Sequence, residues 1–443
     1  MMAPPVAPPL RRALLLAGLA WLAGCLSAVS ALPPPAGSLP TASARFPLAP
    51  EALGLMFQVV TKLQEHVRTG DLVSLHTEDV ILQAGLGALG QQSSFIPPER
   101  REEFQKAVAE FGQHVGALHL AGDLGRQPEA TTELEHVQSS FATIQAFFPP
   151  AVVATGRAAA EAFACPSHPD VHGKREETCP KCGQPLEQQV RLLPEFCGFP
   201  LSNGPSVSAT VRVDHPLLLG EPVKATLQLR RASNGNPVYP SELIVTHTER
   251  VHLLLVDSTL SDYQHTHPRH TQVPGEYSFT FTPRRPGPYR VWADLRPQPM
   301  GLQEYSATVI QGLPGPRGPV DRSATNRVTV DGFTFELLVP QERVRFARPN
   351  LVRLRVTGPD GSPCRRLEPF MSAYAHLVGF YEEGRGVVHV HPKGPAIHDR
   401  TARGGPELEF QFYTTQRGFL RFFAQVQIEG TSHFAPFGVH VGP

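Results

Sequence analysis

The chain has 443 residues, with 40 lysines and arginines balanced by 40 aspartates and glutamates, so it carries no net charge at neutral pH. That balance, with no basic block, excludes the electrostatic footprint of a nucleic-acid-binding protein and a polybasic membrane patch. The length allows several domains, and 46 prolines, about twice the usual share, point to many turns, strand edges and linkers in a β-rich, multi-domain chain.

Arg11 and Arg12 precede an apolar run from Ala13 to Ala23, followed by Gly24 and Cys25. A basic start, a short apolar stretch and small residues before a potential cleavage point read as an export signal over residues 1–24. The Leu22-Ala23-Gly24-Cys25 stretch resembles the lipobox of bacterial lipoproteins, whose cysteine is lipidated on its thiol and becomes the mature N-terminus. The resemblance implies lipidation at Cys25 and a membrane partner reached through a lipid anchor; the alternative is an ordinary cleaved signal with an incidental cysteine. The apolar run is too short to cross a bilayer. Residues 25–50, rich in Pro, Ala and Ser, cannot bury a core and read as a tether. Leu26 follows the cysteine where an aspartate would hint at inner-membrane retention, so the expected location is the cell envelope, extracytoplasmic, on the outer-membrane or periplasmic side.

From 51 to 149 the apolar positions fall at helical spacing: Leu53, Met56, Val60, Leu63 and Val67 early, and Leu134, Val137, Phe141, Ile144 and Phe148 late. Pro98 and Pro128 suit helix starts, which predicts four helices at roughly 51–68, 71–89, 98–121 and 128–148, in an up-and-down bundle. His66, His76, His114, His119 and His136 lie in this segment, and Glu133 with His136 forms a single Glu-x-x-His pair. A di-iron bundle needs two such pairs, and there is no Cys-x-x-Cys-His for haem, so these histidines are expected to be solvated or packed. Neither haem nor a nucleotide is expected.

Residues 160–190 hold the densest group of soft ligands. Cys165 and His168 stand three apart, Cys179 and Cys182 repeat that spacing, and Gly183 follows. A Cys-Pro-x-Cys-Gly turn points backbone amides at its sulfurs, and two such knuckles supply four tetrahedral ligands. The spacer "PDVHGKREET" has no apolar face, so a metal would supply much of the folding free energy. The stretch resembles the heavy-metal-binding module of copper-efflux adaptor proteins and some metal-transporting ATPases, matching at Cys165, Pro166, His168, Pro169, Cys179, Pro180, Cys182, Gly183 and Leu186. Ser167 and Gln184 stand where that module has methionines. Thioethers prefer cuprous copper, so their loss weakens the copper reading and leaves a Cys3His site better suited to zinc. The resemblance implies a metal-efflux or envelope protein as partner. Cys197 and Cys364 are left over as buried thiols or a pair.

Beyond residue 200 the pattern alternates as strands do. "VHLLLVDSTLSDYQHTHP" and "AHLVGFYEEGRGVVHVHP" place His252, His265 and His267 over His376, His389 and His391 at an offset of 124, and "GEYSFTF" lies over "PELEFQF" at 131. This is an internal duplication with a seven-residue insertion after the second His-x-His-Pro. Units at 200–311 and 328–443, joined by the Pro/Gly linker 312–327, have the size of β-sandwiches. They look like the Ig-like modules that accompany the heavy-metal-binding module in exported bacterial proteins. In His-x-His on a strand both rings share a face, so three imidazoles converge in each unit, suiting Zn(II) or Cu(II). His247 aligns with Met371, giving each unit a fourth candidate. The plainer alternative is that these histidines hydrogen-bond across hairpins and fix register.

The expected protein is multi-domain α+β: a four-helix bundle, a Cys3His knuckle and two duplicated Ig-like β-sandwiches. It is expected to bind or handle zinc or copper through Cys165, His168, Cys179 and Cys182. The alternative is an envelope scaffold with a zinc staple. No catalytic residues are expected, since a three-histidine hydrolase or oxidase would want a carboxylate base at fixed spacing.

Overall fold

The structure, a computed structural model, describes residues 48–442 apart from 166, 169, 189–204, 299–300, 302, 317, 340–342 and 385. Cys25, Cys197, Pro166, Pro169, the export signal and most of the tether lie outside the described residues. No described helix is long and apolar enough to cross a membrane.

The helical segment has five α-helices where four were expected: α1 (Ala49–Thr69), α2 (Asp79–Gln91), α3 (Arg101–Asp123), α4 (Gln127–Gln145) and α5 (Pro150–Ala160). The apolar positions read at helical spacing are buried in one core. Gly70 closes α1 in the left-handed conformation at φ 75°, with its amide on the His66 and Val67 carbonyls. The second expected helix opens as a 3-10 turn, Leu72–Glu78, before α2. Helix α5 begins on Pro150 and packs mainly on α1, where Gly156 meets the Pro50 carbonyl and Leu53 side chain too closely for any Cβ. It was missed because its "PAVVATGRAAA" has few large apolar residues to mark a period.

A three-stranded antiparallel sheet, β1 (Phe163–Ala164), β2 (His172–Gly173) and β3 (Glu187–Gln188), carries the cysteine cluster. The first sandwich follows with β4 (Val207–Val213), β5 (Val223–Arg231), β6 (Val251–Asp257), β7 (Tyr263–Thr266), β8 (Arg269–His270), β9 (Glu276–Phe281), β10 (Tyr289–Leu295) and β11 (Glu304–Ile310). Its sheets run β4-β5-β9-β8 and β11-β10-β6-β7. The second contains β12 (Arg327–Val330), β13 (Phe333–Leu338), β14 (Val344–Arg345), β15 (Pro349–Thr357), β16 (Leu367–Glu368), β17 (Ala375–Tyr381), β18 (Val387–Val390), β19 (Glu407–Tyr413), β20 (Gly418–Ile428) and β21 (Thr431–Gly442). Its sheets run β12-β13-β15-β19 and β14-β21-β20-β17-β18, with β16 on the edge of β20.

In each sandwich alternate residues of the central strands fill a core between the two sheets: Leu253, Leu255, Tyr277 and Phe279 in the first, and Leu377, Phe410, Phe412 and Phe422 in the second. The other faces of β6 and β17 are also buried, because the two sandwiches pack face to face. Leu254, Val256, Tyr263 and Trp292 meet Val378, Phe380 and Phe423 in an apolar seam, with the Tyr263 and Phe423 rings stacked at 5.0 Å between centroids. One step along the same strands, His252 on β6 and His376 on β17 replace the apolar side chains. The seam therefore has an apolar end and a histidine end.

Candidate metal centres

At the cysteine cluster, the Cys165 Sγ lies 3.6 Å from the Cys182 Sγ and 3.7 Å from the His168 Nδ1, and the Cys179 Sγ lies 3.6 Å from that same nitrogen. A tetrahedral zinc with Zn–S bonds of 2.3 Å spaces its sulfurs about 3.8 Å apart, so these are the edges of a metal-sized tetrahedron. The chain around the second pair is turned to suit. The Cys182 and Gly183 amides donate to the Cys179 carbonyl, and Gly183 sits at φ 72° with open space around its α-carbon, so backbone conformation is what calls for glycine there. Burial opposes ionisation of the Cys179 thiol, but the backbone amides of Lys181 and Cys182 and the Cys165 thiol lower its pKa to about 7. Cys182 is the exposed ligand. Beside it Ser167 donates to the Gln184 Oε1 at 2.8 Å, so the two residues that replace methionines are hydrogen-bonded to each other. Among the described residues, the apolar cluster beneath comprises Cys165, Cys179 and Leu186, with Phe163 and Val171 half-buried. So small a core cannot hold the segment by burial alone.

The second candidate lies at the histidine end of the seam. In the β6–β7 register His265 pairs with Leu254, placing it on the same outward face as His252. The ligand nitrogens of His252, His265 and His267 all lie within 4.8 Å of one another. The copy on β17 and β18 has the same parity, His389 pairing with Val378; its His376 and His389 centroids lie 6.0 Å apart, with His391 4.5 Å from His376 and 5.0 Å from His389. The two triplets are not separate sites on separate sandwiches, as the duplication alone suggested. They face each other, with His389 centroids 5.7 Å from His252 and 5.4 Å from His265.

Hydrogen bonds decide which nitrogens are available. The His252 Nε2–H donates to the Thr246 carbonyl at 3.0 Å, leaving a lone pair on Nδ1. The His265 Nδ1–H donates to the Gln425 Oε1 at 3.1 Å, leaving a lone pair on Nε2. The His389 Nδ1–H donates to Asp294 at 2.8 Å, and Asp294 also accepts from the Gln303 amide. The Nε2 atoms of His267, His389 and His391 and both nitrogens of His376 are buried without a partner. Left unpaired, each such atom costs roughly 1–3 kcal/mol, so a hydrogen-bond donor or an ion placed among them would stabilise the cluster. Burial, reinforced by neighbouring imidazoles, lowers His252 to about 4 and His267 to about 3, and holds His265, His376 and His391 well below the usual range. The rings are neutral at neutral pH, as metal ligands must be.

His247 and Met371 occupy the same place in the two repeats. Each opens a tight turn, with φ 50° and 52°, followed by Thr248 and Ser372 at 75° and 60°. His247 reaches the cluster, its ring 3.6 Å from that of His391 between centroids.

The helical segment covers this end. Sequence reading placed its histidines as solvated or packed and did not foresee that two of them would meet the seam. His76 and His119 stack at 4.6 Å, and His76 lies 4.8 Å from His247. With Asp79 and Asp123 they have the outline of a metal site, but a cation is already built in. The Arg296 guanidinium pairs with the Asp79 carboxylate and donates to the His119 Nδ1 at 3.1 Å and the His76 Nδ1 at 2.9 Å. Between this roof and His252, His389 and His391 lies an interior cavity of about 20 Å³, room for one water-sized occupant. His114, Glu133 and His136 form a further group on the helical surface, with His136 exposed.

No curated protein matches the chain. Among solved structures, the Escherichia coli adhesin FdeC aligns at 16% identity over 54% of this chain and 65% of its own, with a TM-score of 0.17. Trypsin-activated alpha-2-macroglobulin from E. coli aligns at 12% identity over 56% of this chain and 16% of its own, with a TM-score of 0.18. The chain thus spans less than two thirds of either. Residues 206–309 and again 328–442 match one family, described as a domain of unknown function (DUF8832), and the two matches coincide with the two sandwiches.

Proposed function

We propose that this protein is an extracytoplasmic, lipid-anchored metal-binding protein whose Cys165, His168, Cys179 and Cys182 hold one zinc ion. The observation that carries the reading is the set of sulfur–sulfur and sulfur–nitrogen separations of 3.6 to 3.7 Å, converging from two turns that have almost no core of their own. The lowered Cys179 thiol supplies thiolate near neutral pH. Replacement of two thioethers by the Ser167–Gln184 pair favours zinc over cuprous copper. The exposed edge at Cys182 gives an incoming ligand one side from which to exchange the ion, which suits handling. A scaffold stapled by zinc is the second reading, supported by Glu187 on β3, whose carboxylate ties the knuckle to Arg345 of the second sandwich at 2.9 Å.

Metal analysis of the exported protein tests this. The wild type should carry a tightly bound zinc, and cobalt substitution should give thiolate charge-transfer absorption that disappears in Cys179→Ser. Cobalt bound without sulfur bands would sink the assignment. For the anchor, Cys25→Ala should move the protein from the membrane fraction to the soluble one; unchanged sedimentation would remove the lipid from the account.

A further inference from the structure

We propose that the histidine end of the seam is a second metal centre, composite in origin. In it His252, His265 and His267 of the first repeat, with His389 of the second, bind one divalent ion of the zinc–copper class. The central observation is a pair of facing lone pairs. The Thr246 carbonyl takes the only proton of His252 and the Gln425 side chain takes that of His265, yet the bare His252 Nδ1 and His265 Nε2 lie 3.3 Å apart. Two neutral imidazoles repel in that arrangement. Two nitrogens on one tetrahedral ion at Zn–N distances of 2.0–2.1 Å sit about 3.3 Å apart.

The third nitrogen, His267 Nε2, is buried and unpartnered, and falls within the same 4.8 Å group. His389 comes from the other repeat with its Nδ1 proton fixed on Asp294, which leaves its unpartnered Nε2 as the electron-pair donor. A carboxylate behind a ligating imidazole is the usual way a protein orients and enriches such a ligand. Its ring stands 5.4 and 5.7 Å from His265 and His252, against 4.8 to 5.5 Å among the first three. An all-imidazole set suits Zn(II) and Cu(II) and disfavours the hard ions.

Equilibrium metal counting on the full mature protein with Zn(II) or Cu(II) tests this independently of the knuckle. The expected result is two ions, one lost with Cys179→Ser and the other with His265→Ala. His389→Ala and Asp294→Asn should each weaken the second ion by roughly tenfold or more, while exposed His215→Ala changes neither. Because a seam variant can fail to fold, the wild type is also read by electron paramagnetic resonance, where Cu(II) should show coupling to at least three nitrogens. A single ion sensitive only to Cys179→Ser would overturn this centre and leave the knuckle standing; a single ion sensitive only to the histidines would do the reverse. Second-site affinity unchanged in His389→Ala would overturn the composite origin. A Gln425 amide turned end for end would put a proton on the His265 Nε2 and make its contact with His252 a simple hydrogen bond; no second ion is that arrangement's outcome, and it too overturns the proposal.

Discussion

Arg296 is buried to within 1% of its surface and holds Asp79, itself almost fully covered, against His76 and His119. Truncating one partner of such a pair leaves an uncompensated charge, which costs about 3–5 kcal/mol. Arg296→Met should therefore lose stability on that scale in denaturant unfolding, whereas Arg269→Met, on an exposed pair with Glu249, should lose less than about 1 kcal/mol. At the knuckle, Gly183→Ala adds no clash but forces a side chain into the left-handed region, worth about 1–2 kcal/mol, and should weaken zinc about five- to thirtyfold in a competition titration. The double variant Ser167→Met, Gln184→Met should shift preference toward Cu(I); unchanged relative affinity would show that these positions do not set selectivity. Residue-level legibility was uneven. The convergence of Cys165, His168, Cys179 and Cys182 followed from spacing and the parity of the His-x-His pairs from the strand repeat, but Arg296, Asp294 and Gln425 carry no motif, and their contacts exist only once distant strands meet.

Among the elements, β6 and β17 explain what sequence patterning left out. "VHLLLVD" and "AHLVGFY" are buried at every position, and such unbroken apolar runs belong to strands covered on both faces. That signal is present in the sequence, but neither run says which surface covers the second face. The insertion of the second repeat, placed by a change of offset, also has its use: the Gly394 amide donates to Asp71 at 3.0 Å, tying the loop to the turn after α1. Nearby, the Lys62 Nζ bonds the hydroxyl of Tyr413 on β19 at 2.6 Å and Glu78 at 3.2 Å, while His66 sits between Asp71 and Glu78. Burial works against a charged His66, but hydrogen bonds and charge from Asp71 and Glu78 prevail and raise it from 6.5 to about 9. The folded state keeps a proton that the unfolded chain releases. This stabilisation is therefore complete below pH 6.5, shrinks as pH rises and is gone above about 9. Once the intrinsic base-catalysed rate is divided out, hydrogen-exchange protection of the Leu72–Glu78 turn should fall between pH 6.5 and 9, and His66→Gln should flatten that fall.

For the whole molecule, the sign is opposite at the seam. His252 at about 4, His267 at about 3, and His265, His376 and His391, which burial also holds well below the ordinary value, refuse protons that the unfolded chain accepts below 6.5. Stability is full above that value and falls as pH drops, by up to about 1.4 kcal/mol per pH unit for each such histidine. Urea unfolding of metal-free protein should therefore show a steep loss between pH 6.5 and 5, and a flat profile would mean that the rings are hydrated and not buried together. The duplicated sandwiches and their order along the chain were legible from two offsets; that the copies close on each other, under a helical roof gripping both, was not. The meeting of His252 with His389 also ties together points well over a hundred residues apart. An ion held by both would act on the chain as a reversible cross-link, and by the loop-entropy model a link of that span restrains the unfolded state by on the order of 4–5 kcal/mol, a restraint that a chelator could release without breaking a covalent bond.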